Sequence, residues 1–292
     1  MLFQDNGKKF YNKRSTINLG GELISLASPQ VMGILNVTPD SFYDGGRYLT
    51  EAEMVDRARE IVEQGGSVID IGGYSTRPGA EAVDAAEELK RLLPAVIRIR
   101  KEFPGVALSV DSFRSDVVEK LYDAAGDFIV NDISGGTMDG QMFATVARLR
   151  LPYILMHIQG TPATMQQNPH YNDVTQEVIL SLSAKVDQLK LLGVNDIIID
   201  PGFGFGKNSA HNFELLNRLD AFNLFELPLL AGLSRKSMIW RTLNITAGDA
   251  LNGTSVLHTL ALMGGADILR VYDVKEAVHA IQLVAKTKAS CL

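Results

Sequence analysis

The chain has 292 residues, of which 46% are hydrophobic, and α/β barrels commonly reach about 250 residues as one domain. Its net charge of −6 gives no basic face for nucleic acid, and no apolar segment approaches the roughly 20 residues that span a bilayer. The N-terminus has no signal-peptide pattern, so we expect a cytoplasmic protein. The single cysteine, Cys291, excludes a disulfide within the chain.

Two short extended segments are predicted before residue 31. They cover residues 16–20 and 22–26 and flank the pair Gly20-Gly21, which is typical of a tight turn. We expect a small hairpin that caps the floor of the main domain.

Eight strand-like apolar runs follow, and a polar residue able to bind or react stands at the end of each. The runs cover residues 31–37, 67–71, 108–110, 128–130, 153–156, 197–199, 229–233 and 268–269. Reactive side chains at the carboxyl ends of parallel strands are typical of a TIM barrel. The sequence therefore predicts one (β/α)8 barrel domain over residues 1–292, with its active site at that face.

Helical patterns alternate with these runs. Thr50 and Glu53 form a predicted capping box, and Gly65 is placed to end the helix that follows. Further helices are expected at residues 116–125, 141–149, 178–192, 250–263 and 275–287. Pro94 is expected to split or kink the helical region between residues 84 and 103.

Basic residues gather in or beside the predicted strand ends, which favours an anionic ligand over the alternative of solvated surface charge. They are Arg77, Lys207, Arg235, Lys236 and Arg270. Residues 202–207 do not form a phosphate loop, because the glycine spacing is one residue short and Asn208 replaces the Ser or Thr that binds magnesium. The five histidines include no pair at metal-binding helical spacing, and neither Ser75 nor Ser234 has a nucleophile elbow.

Seven segments resemble, in order, the motifs of the dihydropteroate synthase family. They are residues 32–46, 72–79, 109–112, 131–136, 200–207, 234–237 and 270–274. The resemblance extends from about residue 31 to the end of the chain. It implies a transferase that joins p-aminobenzoate to 6-hydroxymethyl-7,8-dihydropterin diphosphate, releasing diphosphate and forming 7,8-dihydropteroate. It also implies a Mg²⁺ requirement and a homodimer, for which the helices at 250–263 and 275–287 are candidates.

The resemblance implies a catalytic set and a pterin pocket. The catalytic residues are Asp111, Lys236, Asn36 and Arg270. The residues expected to contact the pterin are Asp111, Asn131, Ile133, Met156, Asp200, Gly204 and Lys236. An ionised carboxylate can accept the parallel N–H donors of the ring in a fork, whereas the alternative for a strand-end Asp is a helix cap. We expect diphosphate to leave first, with Asp111 stabilising the resulting cation.

The same resemblance places the other ligands. The residues expected at p-aminobenzoate are Thr76, Pro78, Phe205, Ser234 and Lys236. Those expected at the diphosphate are Asn36, Arg77, Arg270 and Tyr272, with Asn36 also the Mg²⁺ ligand. The alternative for Phe205 is ordinary core packing. The loops at 36–46 and 73–80 are expected to close over the site.

One position departs from the family pattern, which commonly has His where this chain has Tyr272. Tyr carries no positive charge at neutral pH, so weaker diphosphate binding is expected. The alternatives are a non-catalytic pterin-binding paralogue and a pterin-dependent methyltransferase on the same barrel, which would not need the loops at 76–78 and 234–236. No extra residues stand between Ser237 and Asn244, so the sequence predicts sensitivity to sulfonamides that compete with p-aminobenzoate.

Overall fold

A barrel of eight parallel strands is formed in this computed structural model, which describes residues 13–38, 50–74 and 83–290. The strands are β1 (Thr16–Leu19), β2 (Glu22–Ser25), β3 (Gln30–Asn36), β4 (Val68–Gly72), β5 (Ala107–Asp111), β6 (Ile129–Asp132), β7 (Tyr153–Met156), β8 (Ile197–Asp200), β9 (Leu230–Ala231) and β10 (Ile268–Val271). The helices are α1 (Glu51–Glu63), α2 (Ala85–Glu102), α3 (Ser115–Ala125), α4 (Met142–Leu149), α5 (Val174–Leu191), α6 (Ser209–Asn217), α7 (Ser237–Leu243), α8 (Leu251–Met263) and α9 (Val274–Ala289), with a 3-10 helix at Leu219–Phe225.

Strands β3 to β10 form one sheet in the order β8-β7-β6-β5-β4-β3-β10-β9. A parallel bridge between Ile199 and Leu229 joins its two edges, and the Ile199 amide donates to the Pro228 carbonyl at 2.8 Å. The sheet therefore closes, which confirms the predicted (β/α)8 barrel.

The floor of the barrel is an apolar layer to which every barrel strand contributes one inward side chain. Its members are Met32, Val68, Ala107, Ile129, Ile154, Ile198, Leu230 and Ile268. Ile17 of β1 and Leu26, just after β2, pack on this layer, and β1 pairs with β2 antiparallel. The predicted hairpin is confirmed, and it covers the floor because its two buried side chains complete the layer.

The inward side chains become polar two residues further along several strands. Because side chains alternate across a strand, residues two apart point to the same face. Val68 is therefore followed inward by Asp70, and Ile268 by Arg270. The intervening residues, such as Ile69 and Leu269, pack outward against the helices. The barrel interior thus changes from apolar at its floor to charged at its carboxyl face.

The helices follow the predicted alternation, with one correction. The capping box is present at α1: the Glu53 amide donates to Thr50 Oγ1 at 3.2 Å, and the Thr50 amide to Glu53 Oε2 at 2.8 Å. The two-helix alternative at Pro94 is wrong, since α2 runs through it. Pro94 removes one backbone donor, and the buried neighbours Leu92, Ala95 and Val96 keep the helix packed on the barrel. The described residues include no helix that could cross a membrane.

Candidate active site

Arg270 lies between two carboxylates at the mouth of the barrel. Its Nε is 2.6 Å from Asp70 Oδ2, and its Nη2 is 2.8 Å from Asp111 Oδ2. Asp70 is fully buried and also accepts from Nδ2 of Asn131, at 3.3 and 3.2 Å to its two oxygens. Four strands therefore deliver one connected polar cluster. We call these four residues, Asp70, Asp111, Asn131 and Arg270, the arginine cluster.

Burial dominates the electrostatics of this cluster. It raises the pKa of Asp111 to about 7, although the positive charge of Arg270 acts in the opposite direction. Burial alone would lower the pKa of Arg270, but the carboxylates of Asp70 and Asp111 raise it further above its ordinary range. Arg270 is therefore permanently charged, while Asp111 changes its charge near neutral pH.

Asn36 and Asp111 flank Gly72 at the same end of the barrel. A Cβ atom at position 72 would lie 3.2 Å from Asn36 Oδ1 and 3.7 Å from the Asp111 Cβ. The register agrees, because Gly72 pairs with Asn36 on one side and with Asp111 on the other. The glycine leaves room for both polar side chains to face the mouth.

A second group lies at the ends of β8 and β9. Nζ of Lys236 donates to the Phe203 carbonyl and lies 4.7 Å from the centroid of the Phe205 ring. The Asp200 carboxylate accepts from the Gly202 amide at 2.7 Å. Burial raises the pKa of Asp200 and lowers that of Lys236 to about 8, and each charge partly offsets the shift of the other. This group offers a carboxylate, an ammonium and an aromatic face.

An apolar wall joins the two groups. It consists of Phe113, Ile133, Met156, Ile158 and Met165, with Tyr74 and Phe205 packed against it. The structure thus brings the predicted contacts Ile133, Met156 and Phe205 together. The rings of Tyr74 and Phe113 meet edge to face, with centroids 5.3 Å apart. A flat heterocycle could lie against this wall while its polar edge meets the carboxylates.

Ser234 and Tyr272 are neighbours, as the Tyr272 amide donates to Ser234 Oγ at 3.3 Å. The interpretation of Arg235 and Lys207 as ligand-binding cations needs correction. Arg235 forms a two-point ion pair with Asp273, at 2.9 and 2.8 Å, and both side chains are nearly buried. Lys207 is buried beneath the loop after β8.

Three predicted contacts, Thr76, Arg77 and Pro78, lie outside the described residues, as does most of the predicted closing loops at 36–46 and 73–80. Sequence reasoning gave no role to Asp70. The sequence does contain a signal for it: Asp70 is the one charged residue in an otherwise apolar strand. It stands two residues before Gly72 and therefore points to the same, inward face. It likewise missed Phe113, Ile158 and Met165 of the apolar wall.

Comparisons with known proteins agree on one family. Residues 32–272 match a family model described as pterin binding enzyme. The chain is 44% identical to dihydropteroate synthase of Escherichia coli K12 over 269 residues, covering 91% of this chain and 94% of that protein. It superposes on Yersinia pestis dihydropteroate synthase in complex with a sulfonamide drug with a TM-score of 0.89 at 41% identity, covering 94% and 99% of the two chains. The Xanthomonas albilineans enzyme in complex with 7,8-dihydropteroate gives 0.82 at 35% identity, with the same coverage.

Proposed function

This chain belongs to the pterin-binding enzyme family, and we propose that the mouth of its barrel is the active site of a dihydropteroate synthase. The protein is a transferase: it joins p-aminobenzoate to 6-hydroxymethyl-7,8-dihydropterin diphosphate and yields 7,8-dihydropteroate and diphosphate. The observation that carries the site assignment is the arginine cluster, whose Arg270 lies near enough to Lys236 to add to the effect of burial in lowering its pKa, together with the apolar wall against which Phe205 packs.

The pterin is assigned to the pocket between the arginine cluster and the apolar wall. Asp111 and Asp200 supply carboxylates for the N–H donors of the ring, and the Asn131 amide can both donate and accept. Lys236 can donate to a ring acceptor near Gly204, whose Cβ position would lie 3.2 Å from the Lys236 Cδ. The ring would lie against Ile133 and Met156, which are buried.

For p-aminobenzoate we assign Phe205, Ser234 and Lys236, together with Thr76 and Pro78 from the sequence. The Phe205 ring faces the ammonium of Lys236, so an aromatic carboxylate there would meet a ring face and a cation.

Sulfonamides should compete for this pocket. We expect an inhibition constant near the KM for p-aminobenzoate, measured by steady-state competition; one far above that KM would contradict the prediction.

The diphosphate is assigned to Asn36, Arg77, Arg270 and Tyr272. Asn36 fits a magnesium ion, because the residue is partly exposed, its amide oxygen lies beside Gly72, and Mg²⁺ needs few protein oxygens when substrate phosphates and waters supply the rest. The described residues contain no group of three His, Cys, Asp or Glu side chains that could hold a metal without the substrate. Bound at Asn36, Mg²⁺ would neutralise charge on the diphosphate.

The geometry supports a dissociative substitution. The C–O bond of the pterin methylene breaks, its electron pair leaves with the diphosphate, and the aniline nitrogen attacks the resulting cation before losing a proton to solvent. Asp111 holds a negative charge at the pterin pocket as the cation develops, while Arg270 meets the departing phosphate oxygens. The apolar wall limits the access of water to the cation.

The pH profile of kcat/KM is expected to be bell-shaped. Asp111 must be ionised and Lys236 protonated, so kcat/KM should rise as pH rises through about 7 and fall above about 8. Initial rates from pH 5.5 to 9.5 measure this. Lys236→Arg should shift the fall of kcat/KM on the alkaline side to higher pH, because a guanidinium keeps its proton there. A flat profile between pH 6 and 9 would contradict both assignments.

The function is tested by diphosphate release from purified protein with pterin diphosphate, p-aminobenzoate and Mg²⁺. We expect release that depends on p-aminobenzoate. Tyr272 supplies one hydrogen-bond donor but no charge, so Tyr272→His should tighten diphosphate binding in calorimetry. No release, with pterin binding still detectable, would favour the non-catalytic paralogue. Transfer of a methyl group from a pterin would favour the methyltransferase.

We also propose a homodimer through α8 and α9. Val256, Leu260 and Met263 recur at helical spacing on α8 and remain 53%, 51% and 48% exposed, and Leu283 on α9 is 69% exposed. Leu260→Asp should place an unpaired charge in the interface and yield monomers in size-exclusion chromatography with light scattering. A monomeric parent protein would rule the proposal out.

A further inference from the structure

The loop after β8 is held by side-chain donors at each of its five carbonyls. We call residues 202–206 the glycine loop. Lys207 Nζ donates to the carbonyls of Gly202 and Phe205, both at 3.0 Å, and Lys236 donates to that of Phe203. The carbonyls of residues 204 and 206 accept from Gln166 Nε2 at 2.7 Å and Tyr171 Oη at 2.8 Å. The loop belongs to no regular helix or strand, so side chains supply most of the hydrogen bonds to its carbonyls.

Lys207 occupies the inner side of the glycine loop. It is only 2% exposed, and the third partner of its ammonium is His157 Nδ1 at 3.0 Å. In the ammonium form of Lys207 all three donors are therefore used within the protein, and none is left for a ligand. Burial lowers the pKa of His157 to about 2, with the charge of Lys207 acting in the same direction, so the imidazole is neutral and can accept. Burial lowers the pKa of Lys207 to about 7, with the Asp200 carboxylate opposing the shift and the charge of Lys236 adding to it.

The backbone of the glycine loop packs closely on the segment after β7. Gly202 and Gly206 have φ values of +71° and +63°. A Cβ at Gly202 would lie 1.9 Å from the His157 carbonyl oxygen, and one at Gly206 would lie 2.5 Å from that of Gln159. The loop thus rests directly on the segment after β7, without intervening side chains. Among the described residues, Lys207 is the one side chain that donates to two of the five loop carbonyls, so its loss should change the position of the loop on that segment most.

The outer side of the glycine loop faces the proposed p-aminobenzoate pocket. It presents the Phe205 ring and the Phe203 carbonyl, which between them contact Lys236. We infer that Lys207 is a positioning residue: its ammonium sets the glycine loop so that Phe205 and Lys236 meet p-aminobenzoate in the productive geometry. This inference rests on the proposed function. It adds a residue that touches neither substrate.

Lys207→Met tests the inference, since it keeps an unbranched side chain of similar length and removes the donors. A displaced loop is expected to raise the KM for p-aminobenzoate about tenfold or more, because small misplacements of positioning groups are costly. The Kd for pterin diphosphate, measured by calorimetry, should change less, by about threefold or less, because Asp111, Asn131 and Ile133 lie outside the loop and only part of the pterin contacts, Gly204 and Lys236 among them, adjoin it. Amide exchange at Gly204 and Phe205 should accelerate, since their N–H groups donate to Asn212 Oδ1 and to the Gly202 carbonyl only while the loop keeps its shape.

Lys185→Met is the matched control. Lys185 on α5 is also partly buried and lies beside Gly135, and its charge, like that of Lys207, adds to the effect of burial in lowering the pKa of His157. It is not among the donors to the five carbonyls of the glycine loop. It should leave the KM for p-aminobenzoate unchanged.

If Lys207→Met does not fold, Lys207→Gln keeps two donors and should give a smaller rise in KM. Unchanged exchange and KM in a folded Lys207 variant would overturn the inference, as would equal losses of p-aminobenzoate and pterin binding. Failure of the unaltered protein to release diphosphate would overturn the proposed function instead, while exchange at Gly204 and Phe205 still tests the hold of Lys207 on the loop.

Discussion

Asp111→Asn is expected to lower kcat about a hundredfold or more at saturating substrates, because a fixed charge that meets a developing cation is usually the largest catalytic contribution. The substitution keeps the shape of the side chain and removes its charge. Arg270 retains Asp70 as a partner at 2.6 Å, so the cluster should stay assembled. The effect should therefore appear in the chemical step.

Single-turnover measurement of diphosphate release separates that step from binding. Asp116→Asn is the control, because it makes the same change on the exposed face of α3, where the carboxylate is 53% exposed. It should leave kcat unchanged. Turnover of Asp111→Asn near that of the parent protein would show that this carboxylate does not stabilise the transition state. Loss of the acidic limb of the pH profile in the same variant would support its assignment to Asp111.

Asp70→Asn is expected to lower the free energy of unfolding by about 3 kcal/mol, the low end of the range for removing one partner of a buried ion pair. Asp70 is fully buried, and it binds both the Arg270 guanidinium and the Asn131 amide. Without its charge, Arg270 keeps only Asp111. The low end applies because that second carboxylate remains and the Arg270 side chain is 23% exposed.

Urea denaturation at pH 7.5, followed by circular dichroism, measures this loss. Asp56→Asn is the control, since Asp56 pairs with Arg59 on the surface of α1 and is 70% exposed. Surface substitutions of this kind change stability by about 0.5 kcal/mol or less. Equal stability of the two variants would mean that Asp70 does not neutralise Arg270. Because Asp70 and Asp111 share that arginine, their effects should not add in the double variant.

The alternation of strands and helices was predictable because it depends on local periodicity. Continuous apolar runs such as 197–199 mark strands buried on both faces, and the capping box at Thr50 marks a helix start. The sequence analysis did not predict α6, the 3-10 helix at Leu219–Phe225 or α7. Two of these have fewer than eight residues, too short for a clear repeat. Asn208, which argued against a phosphate loop, is the N-cap of α6 and accepts from the His211 amide at 2.9 Å.

The types of residue at the site could likewise be predicted, since motifs place Asp111, Asn131, Asp200, Lys236 and Arg270 directly at strand ends. Their partners could not. Asp70 and Arg270 are 200 positions apart, and they come within 2.6 Å because β4 and β10 both pair with β3. Arg235 and Lys207 show the same limit. The sequence indicates that both are cations near the site, but in the structure Arg235 pairs with Asp273 and Lys207 donates to the glycine loop. Periodicity and motif order are local, so they can be read from the sequence alone. The partner of a buried charge depends instead on which distant strands become neighbours in the fold.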